Sequence, residues 1–269
     1  MKKIMMLMTF FLGITSCSTD SQSEINTDAD KSVKMSSSSA AGLNYGQMHN
    51  DILEIYYEDY DYATSDLDLM EGAVEEYLIE SSSPITFNDV KLLNPKLYSY
   101  SQQLYDTEGN VSEIKDLFQK MYDDGLSSKA SYDYSIELIE IFEQYEGDVD
   151  AFKSNLNLYR DKVSQDYLID SELNQNLLRA INIAEYSHMY WYEIVNINSL
   201  AKANSFYSAN KVDTRRIAVI AGGDVAGALT GIQSGLVGYA SLVFGPWGGA
   251  IAMAGTAAIG SLNAARVLR

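Results

Sequence analysis

The stretch that decides the fold runs from Ile217 to Ala265 and reads IAVIAGGDVAGALTGIQSGLVGYASLVFGPWGGAIAMAGTAAIGSLNAA. Its 49 residues hold eleven of the chain's 18 glycines and a single charged side chain, Asp224. Residues four apart share one face of a helix, so small residues at that spacing form a smooth groove that another helix can approach closely. Two series have this spacing: Gly223, Gly227, Gly231 and Gly235, and then Gly248, Ala252, Thr256 and Gly260.

The two series predict a helical hairpin, with halves at 217–244 and 247–265 and a turn at Gly245-Pro246-Trp247. Each glycine costs a helix in water about 0.8–1 kcal/mol relative to alanine, so close packing must stabilise the pair. Both halves are long enough to cross a bilayer, although Asp224 would be costly at depth. Three placements stay open: on or in a membrane, inside the soluble fold, or between copies of the chain. The segment resembles the glycine-zipper stretches of bacterial envelope proteins and of some bacteriocin-like peptides.

The amino end has the form of an export signal. A basic start is followed by an apolar run over 4–14, which is too short for an ordinary membrane span. It leads into Ile14-Thr15-Ser16-Cys17, which resembles the lipobox of bacterial lipoproteins, although the family more often has Leu at the first position and Gly or Ala before the cysteine. The resemblance implies a signal peptide over 1–16, acyl chains such as palmitate on Cys17, and a lipid-anchored protein of the bacterial cell envelope. Ser18 implies the outer membrane by the same analogy. The alternative is an unmodified thiol near an ordinary cleavage site.

The remaining chain divides into two further regions. Residues 17–44 are rich in Ser, Thr, Asp and Ala and hold few large apolar side chains, which predicts a disordered tether. Residues 45–212 carry apolar side chains with a period near 3.6, as in the stripe Ile114, Leu117, Phe118 and Met121 that ends at Gly125. The pattern predicts five to seven amphipathic helices. The expected fold is an all-α bundle followed by the hairpin at 213–269.

The charge is concentrated in the helical region. Residues 46–212 contain 11 basic and 31 acidic side chains, within a chain of net charge -18. This excess argues against nucleic acid as a partner, because such binding depends on basic contacts to phosphate. Nineteen of the 20 tyrosines also lie between 45 and 212. The region is interpreted either as a solvated acidic surface with half-buried tyrosines, or as a recognition face for a partner or a weakly held divalent cation.

Few residues indicate catalysis or a cofactor. Glu185-x-x-His188 resembles half of the site of ferritin-like di-iron bundles, but the other histidine, His49, follows Gly46 where the second glutamate is needed. His188 also falls on an apolar stripe with Trp191, which favours a place in the core. With one cysteine, an internal disulfide is excluded. We therefore expect no metal, no cofactor and no catalytic residue.

These observations predict a non-enzymatic, lipid-anchored envelope protein. Its acidic helical domain would contact an unidentified partner, and its glycine-zipper hairpin would pack on or into a membrane or associate with another copy. A bacteriocin-like or pore-forming role of the hairpin is the first alternative. An enzyme with a carboxylate or single-histidine site in the helical domain is the second.

Overall fold

The computed structural model describes residues 43–62, 64–145, 148–203 and 214–268, and all regular structure in these ranges is helical. The expected all-α fold is confirmed. Within these ranges eight helices precede residue 213, where the sequence predicted five to seven. The helices are α1 (Tyr45–Asp59), α2 (Leu67–Glu80), α3 (Phe87–Leu93), α4 (Pro95–Asp106), α5 (Val111–Asp123), α6 (Lys129–Glu143), α7 (Val149–Gln165), α8 (Ser171–Ala203), α9 (Thr214–Gln233) and α10 (Leu236–Leu268).

Polar side chains fix where the helices begin. Thr86 and Asp89 form a capping box at the start of α3, and Asn94 ends α3 and caps α4. These caps define two short helices that the apolar pattern did not predict, because the seven residues of α3 span only two turns. For α8 the cap is Asp170, which accepts a hydrogen bond from the Leu173 N–H at 2.8 Å, and Ser171 is the first helical residue. Side chains that accept hydrogen bonds in the same way at α1, α2, α5, α6 and α7 are Asn44, Asp66, Asn110, Ser128 and Asp148.

The two last helices lie at the centre of the fold, and we refer to α9 and α10 as the hairpin. They pack on each other more extensively than any other two helices. Helices α1 to α4 contact α10, helices α4, α5, α6 and α8 contact α9, and α7 packs against α6 and α8. The amphipathic helices α1 to α8 therefore form a sheath around an apolar hairpin, and both belong to one compact unit.

The chain turns at two places between the arms of the hairpin rather than at one. The first turn is at Ser234-Gly235, where Gly235 has a positive φ of 80°, so the predicted continuous helix over 217–244 is wrong. The second is at Gly245-Pro246, inside α10, where Gly245 has φ 69° and ψ -165°. A Cβ on Gly248 would collide with the Ala240 carbonyl eight residues earlier, which shows that the chain folds back at Gly245. The Gly-Pro turn is therefore present, but it joins a short arm over 236–244 to a long arm over 246–268.

Within the described residues, Leu236–Asn263 is long and apolar enough to cross a membrane, with a mean hydropathy of 1.4. Most of this stretch is buried inside the protein, and core helices of soluble proteins have the same length and composition. The reversal at Gly245 also divides it into two unequal arms. In this fold the stretch serves as core, with its short arm at one end of the molecule.

Candidate functional site

Close backbone contact between α9 and the long arm of α10 is the first feature of the hairpin. A Cβ on Gly223 would lie 2.8 Å from the Gly260 carbonyl oxygen, and a Cβ on Gly227 would overlap the Thr256 carbonyl oxygen. The contact pairs run in opposite order along the two helices, so the arms are antiparallel. Gly231 continues the row, since its Cβ would lie 2.7 Å from Thr256 Oγ1. Only hydrogen at these positions allows the two backbones to touch.

The other small residues of the two series have different surroundings. Gly235 has no heavy atom within 4 Å of a Cβ position, so this glycine serves the chain reversal rather than helix packing. Gly248 contacts Ala240 and Phe244 of its own helix across the Gly245 turn. Ala252 is fully buried in the long arm. The zipper between arms therefore rests on Gly223, Gly227, Gly231, Thr256 and Gly260.

A buried polar cluster joins the hairpin to the sheath, and we call Asp224, His49, Ser187, Trp191 and Ser261 the Asp224 cluster. Asp224 Oδ2 accepts hydrogen bonds from the Ser187 hydroxyl and, at 2.8 Å, from Trp191 Nε1. His49 Nε2 lies 3.6 Å from the same oxygen and 3.1 Å from Ser261 Oγ. Side chains from α1, α8, α9 and α10 thus meet around one carboxylate, and none of the five is exposed.

Neighbouring contacts hold α1 and α8 in place around this cluster. His49 Nδ1 lies 3.0 Å from Asn50 Oδ1, and Asn50 Nδ2 donates to the Tyr186 carbonyl at 3.2 Å. The Gly46 N–H donates to Asn182 Oδ1 at 2.8 Å, and a Cβ on Gly46 would collide with the backbone of α8. The first two turns of α1 are therefore fixed against the middle of α8, which positions the His49 ring.

The electrostatics of the cluster follow from its burial. Loss of water raises the pKa of the Asp224 carboxyl above its ordinary value of 3.8, and His49, Ser187, Ser261 and Trp191 oppose this shift without cancelling it. Asp224 Oδ1 has no hydrogen-bond partner. The cluster therefore favours a protonated carboxyl more than water does.

The sequence indicated Asp224 only as a cost to membrane insertion, and it gave His49 no role. The available signal was the isolation of Asp224 in a stretch otherwise free of charge, since a buried carboxylate needs donors or a counter-charge. With two histidines in the chain, His49 and His188 were the candidate imidazoles. Gly46, which removed His49 from the di-iron comparison, is the residue that lets α1 approach α8.

His188 lies in the core beside α7. Its ring stacks on Phe152 with centroids 4.5 Å apart, and the Tyr145 ring packs edge-on at 5.7 Å. Burial, with a smaller contribution from the Lys153 charge, lowers the pKa of His188 to about 4. Glu185 pairs instead with Arg160 on α7, so it does not share a site with His188.

The chemistry open to these groups is limited. Among the described residues no three His, Cys, Asp or Glu side chains lie close enough to hold a metal ion. The Ser261 hydroxyl and the His49 ring resemble a nucleophile and its base in spacing, but both side chains are fully buried where α10 packs against α1. The Asp224 cluster is built to connect helices.

The exposed end of the hairpin is the second candidate site, and we call residues 238–247 the hairpin tip. Leu242 is 84% exposed, Val243 50% and Tyr239 42%. Phe244 and Trp247 are half-buried beside them. From residue 225 to 265 the chain has no charged side chain, so the tip is an uncharged apolar surface on an acidic protein.

Further apolar side chains lie near this end of the molecule. A Cβ on Gly238 would be 3.0 Å from Glu172 Oε1, which places the tip beside the first turn of α8. The connection just before that turn exposes Tyr167 by 89% and Leu168 by 80%. This connection, which also carries Asp166 and Asp170, exposes aromatic and aliphatic side chains close in sequence to the residue that lies beside the tip.

Cys17 and residues 1–42 lie outside the described residues, so the signal peptide, the lipid and the tether remain expectations. The boundary expected at 212 falls in the undescribed segment between α8 and α9. Comparisons with protein-family models, with curated proteins and with solved structures find no match to this chain.

Proposed function

We propose that this chain is a non-enzymatic, lipid-anchored protein of the bacterial cell envelope, and that the hairpin tip is where its helical domain touches the bilayer. The observation that carries the proposal is the exposure of Leu242, Val243 and Tyr239 at the end of a hairpin that is otherwise enclosed. Soluble proteins seldom expose contiguous apolar residues without a partner for them. Acyl chains on Cys17 would hold the protein at a membrane, and the tip would orient the domain there.

The composition of the tip fits a lipid interface. Aromatic side chains such as Tyr239 and Trp247 are favoured where apolar chains meet water, and aliphatic Leu242 can enter the acyl region. Residues 238–247 carry no charged side chain of their own, although Glu172 of α8 lies beside Gly238. The acids of the sheath would repel an anionic lipid surface, so the proposal specifies a zwitterionic leaflet. The part of the acidic, tyrosine-bearing sheath that lies away from the tip is proposed to contact an unidentified protein partner.

Vesicle binding tests the proposal. The mature chain from Ser18, which lacks Cys17, is sedimented with zwitterionic phosphatidylcholine vesicles. Each buried Leu or Val contributes about 1.5–3 kcal/mol, so Leu242→Asp and Val243→Asp should each weaken binding by about 10-fold or more. Ile79→Asp on α2 is the matched control, because Ile79 is equally exposed (79%) but lies outside the tip. Equal binding by tip and control variants would refute the docking role.

The anchor needs its own test. In the native bacterium, Cys17→Ala should release a fraction of the protein from the membrane into the soluble fraction, because a single apolar tip holds a protein less firmly than acyl chains do. A Cys17→Ala protein that has lost residues 1–16 and still stays wholly in the membrane fraction would place the anchor elsewhere. Metabolic labelling with a fatty-acid analogue provides the direct readout of acylation.

Pore formation is a second candidate function, favoured by the enclosure of an apolar hairpin within amphipathic helices. It would require the hairpin to leave the sheath. Asp224 opposes that step, since a charged Asp at the bilayer centre costs about 2.5–3.5 kcal/mol on insertion scales. Docking by the tip requires no such movement, and we therefore place it first.

A further inference from the structure

The hairpin tip and the Asp224 cluster lie at different places on the same hairpin. The tip belongs to residues 238–247, whereas the cluster involves the middle of α9 and the far half of α10. We propose that the Asp224 cluster is a latch that keeps the hairpin inside the sheath while the tip contacts a bilayer. This inference rests on the proposed docking function, since it concerns what limits the hairpin once the tip has docked.

The bonding pattern of the cluster supports a latch. Asp224 belongs to α9 and Ser261 to α10, so each arm of the hairpin contributes a polar group. Their partners are His49 on α1 and Ser187 with Trp191 on α8, which all belong to the sheath. The cluster thus links both arms to two sheath helices at one point.

Burial makes these bonds costly to break. If the hairpin moved out, the Trp191 N–H and the Ser187 hydroxyl, which are fully buried in the packed fold, would lose their acceptor. Asp224 and Ser261 would at the same time enter lipid without partners. Withdrawal would leave unpaired polar groups on both the sheath and the hairpin. All the hydrogen bonds of the cluster must therefore break together.

Stability alone does not account for a polar group at this junction. Well-packed apolar side chains would join hairpin and sheath at least as firmly as a buried carboxylate with donors. A polar cluster instead fixes one register, because its hydrogen bonds are directional. The two zipper arms, which are smooth and apolar, need such a fixed point to hold their position within the sheath.

Two substitutions distinguish the effect of the cluster's hydrogen bonds from the effect of placing a charge in lipid. Asp224→Asn removes the charge but keeps an acceptor oxygen for Trp191 and Ser187. Asp224→Ala removes both. Each variant of the mature chain is mixed with phosphatidylcholine vesicles that contain a self-quenched dye, and leakage is followed together with sedimentation. Thr230→Val, a buried position on α9 outside the cluster, controls for added hydrophobicity of the hairpin.

The wild-type, Asn and Val proteins should sediment with vesicles and release little dye. The Ala protein should release dye about 10-fold faster or more, as expected when buried donors lose their acceptor. Equal leakage by Ala and Asn, whether low or high, would overturn the latch, and so would leakage by Thr230→Val equal to that of Ala. Failure of the wild type to sediment would instead count against docking.

Hydrogen exchange without vesicles keeps the latch testable if docking fails. Amides of α9 should exchange about 10-fold faster in Asp224→Ala than in Asp224→Asn. If the Ala protein lacks native helix content, Ser187→Ala and Ser261→Ala, which each remove one hydroxyl of the cluster, replace it in both assays. Native exchange rates in those variants would likewise overturn the proposal.

Discussion

Asp224 is a carboxyl group held in the centre of an apolar hairpin, and its burial makes a specific prediction about pH. Burial raises its pKa above 3.8, so the native protein binds this proton more readily than the unfolded chain does. The stability of the wild type relative to Asp224→Asn should therefore be greatest below pH 3.8 and fall as pH rises through the raised pKa. Urea unfolding of both proteins from pH 3.5 to 7.5 measures this difference. A difference that grows with pH would contradict the assignment.

For His188 we expect the opposite dependence of stability on pH. Its pKa is lowered to about 4 from 6.5, so its contribution to stability is complete above pH 6.5 and is lost as pH falls towards 4. His188→Phe keeps a ring to stack on Phe152 and does not titrate. Relative to this variant, the wild type should lose at most about 3 kcal/mol between pH 7.5 and 4. Parallel unfolding curves for the two proteins over that range would show that the ring is not buried as described.

At the scale of residues, the sequence predicted the environment of one of the two histidines. His188 was assigned to the core because it falls on an apolar stripe, and the structure places it there. His49 has no such local signal, because its contacts with Asp224 and Ser261 depend on how helices far apart in the chain pack together. Tertiary partners of this kind are invisible to spacing rules.

At the scale of elements, replacing glycine by alanine should have opposite effects on stability in two helices. A Cβ on Gly227 would overlap the Thr256 carbonyl oxygen, so Gly227→Ala should destabilise the protein by about 1–3 kcal/mol or more. Gly72 in α2 has open space around its Cβ position, and Gly72→Ala should stabilise by about 0.5–1 kcal/mol. Thermal unfolding of the two variants tests this contrast. If Gly227→Ala leaves the stability unchanged, close backbone contact is not what holds the two arms together.

The four-residue spacing predicted which helices come close, but not every role within the series. Gly223, Gly227 and Gly260 make the expected backbone contacts, whereas Gly235 lies in a turn. A glycine that ends a helix and a glycine inside a helix can both fall on the four-residue spacing. Spacing alone therefore does not distinguish a turn from a packing contact. The turn at Gly235 was not predicted, so the short arm and the hairpin tip were not expected as separate features.

At the scale of the whole molecule, the apolar periodicity near 3.6 residues predicted an all-α protein, and this fold class is confirmed for the described residues. The sequence left open whether the hairpin projects from the helical domain or packs within it. Amphipathic stripes on α1 to α8 need an apolar partner, and the hairpin is long enough to supply it. The structure places the hairpin in the centre and leaves the tip exposed.

Amide hydrogen exchange of the mature chain, with and without phosphatidylcholine vesicles, tests the central claim most directly. The claim is that the hairpin stays enclosed while its tip meets the membrane. Amides of 217–231 and 250–262 should exchange slowly in both conditions, and vesicles should slow exchange only over 238–247. Faster exchange over 217–231 on addition of vesicles, or no change over 238–247, would contradict it.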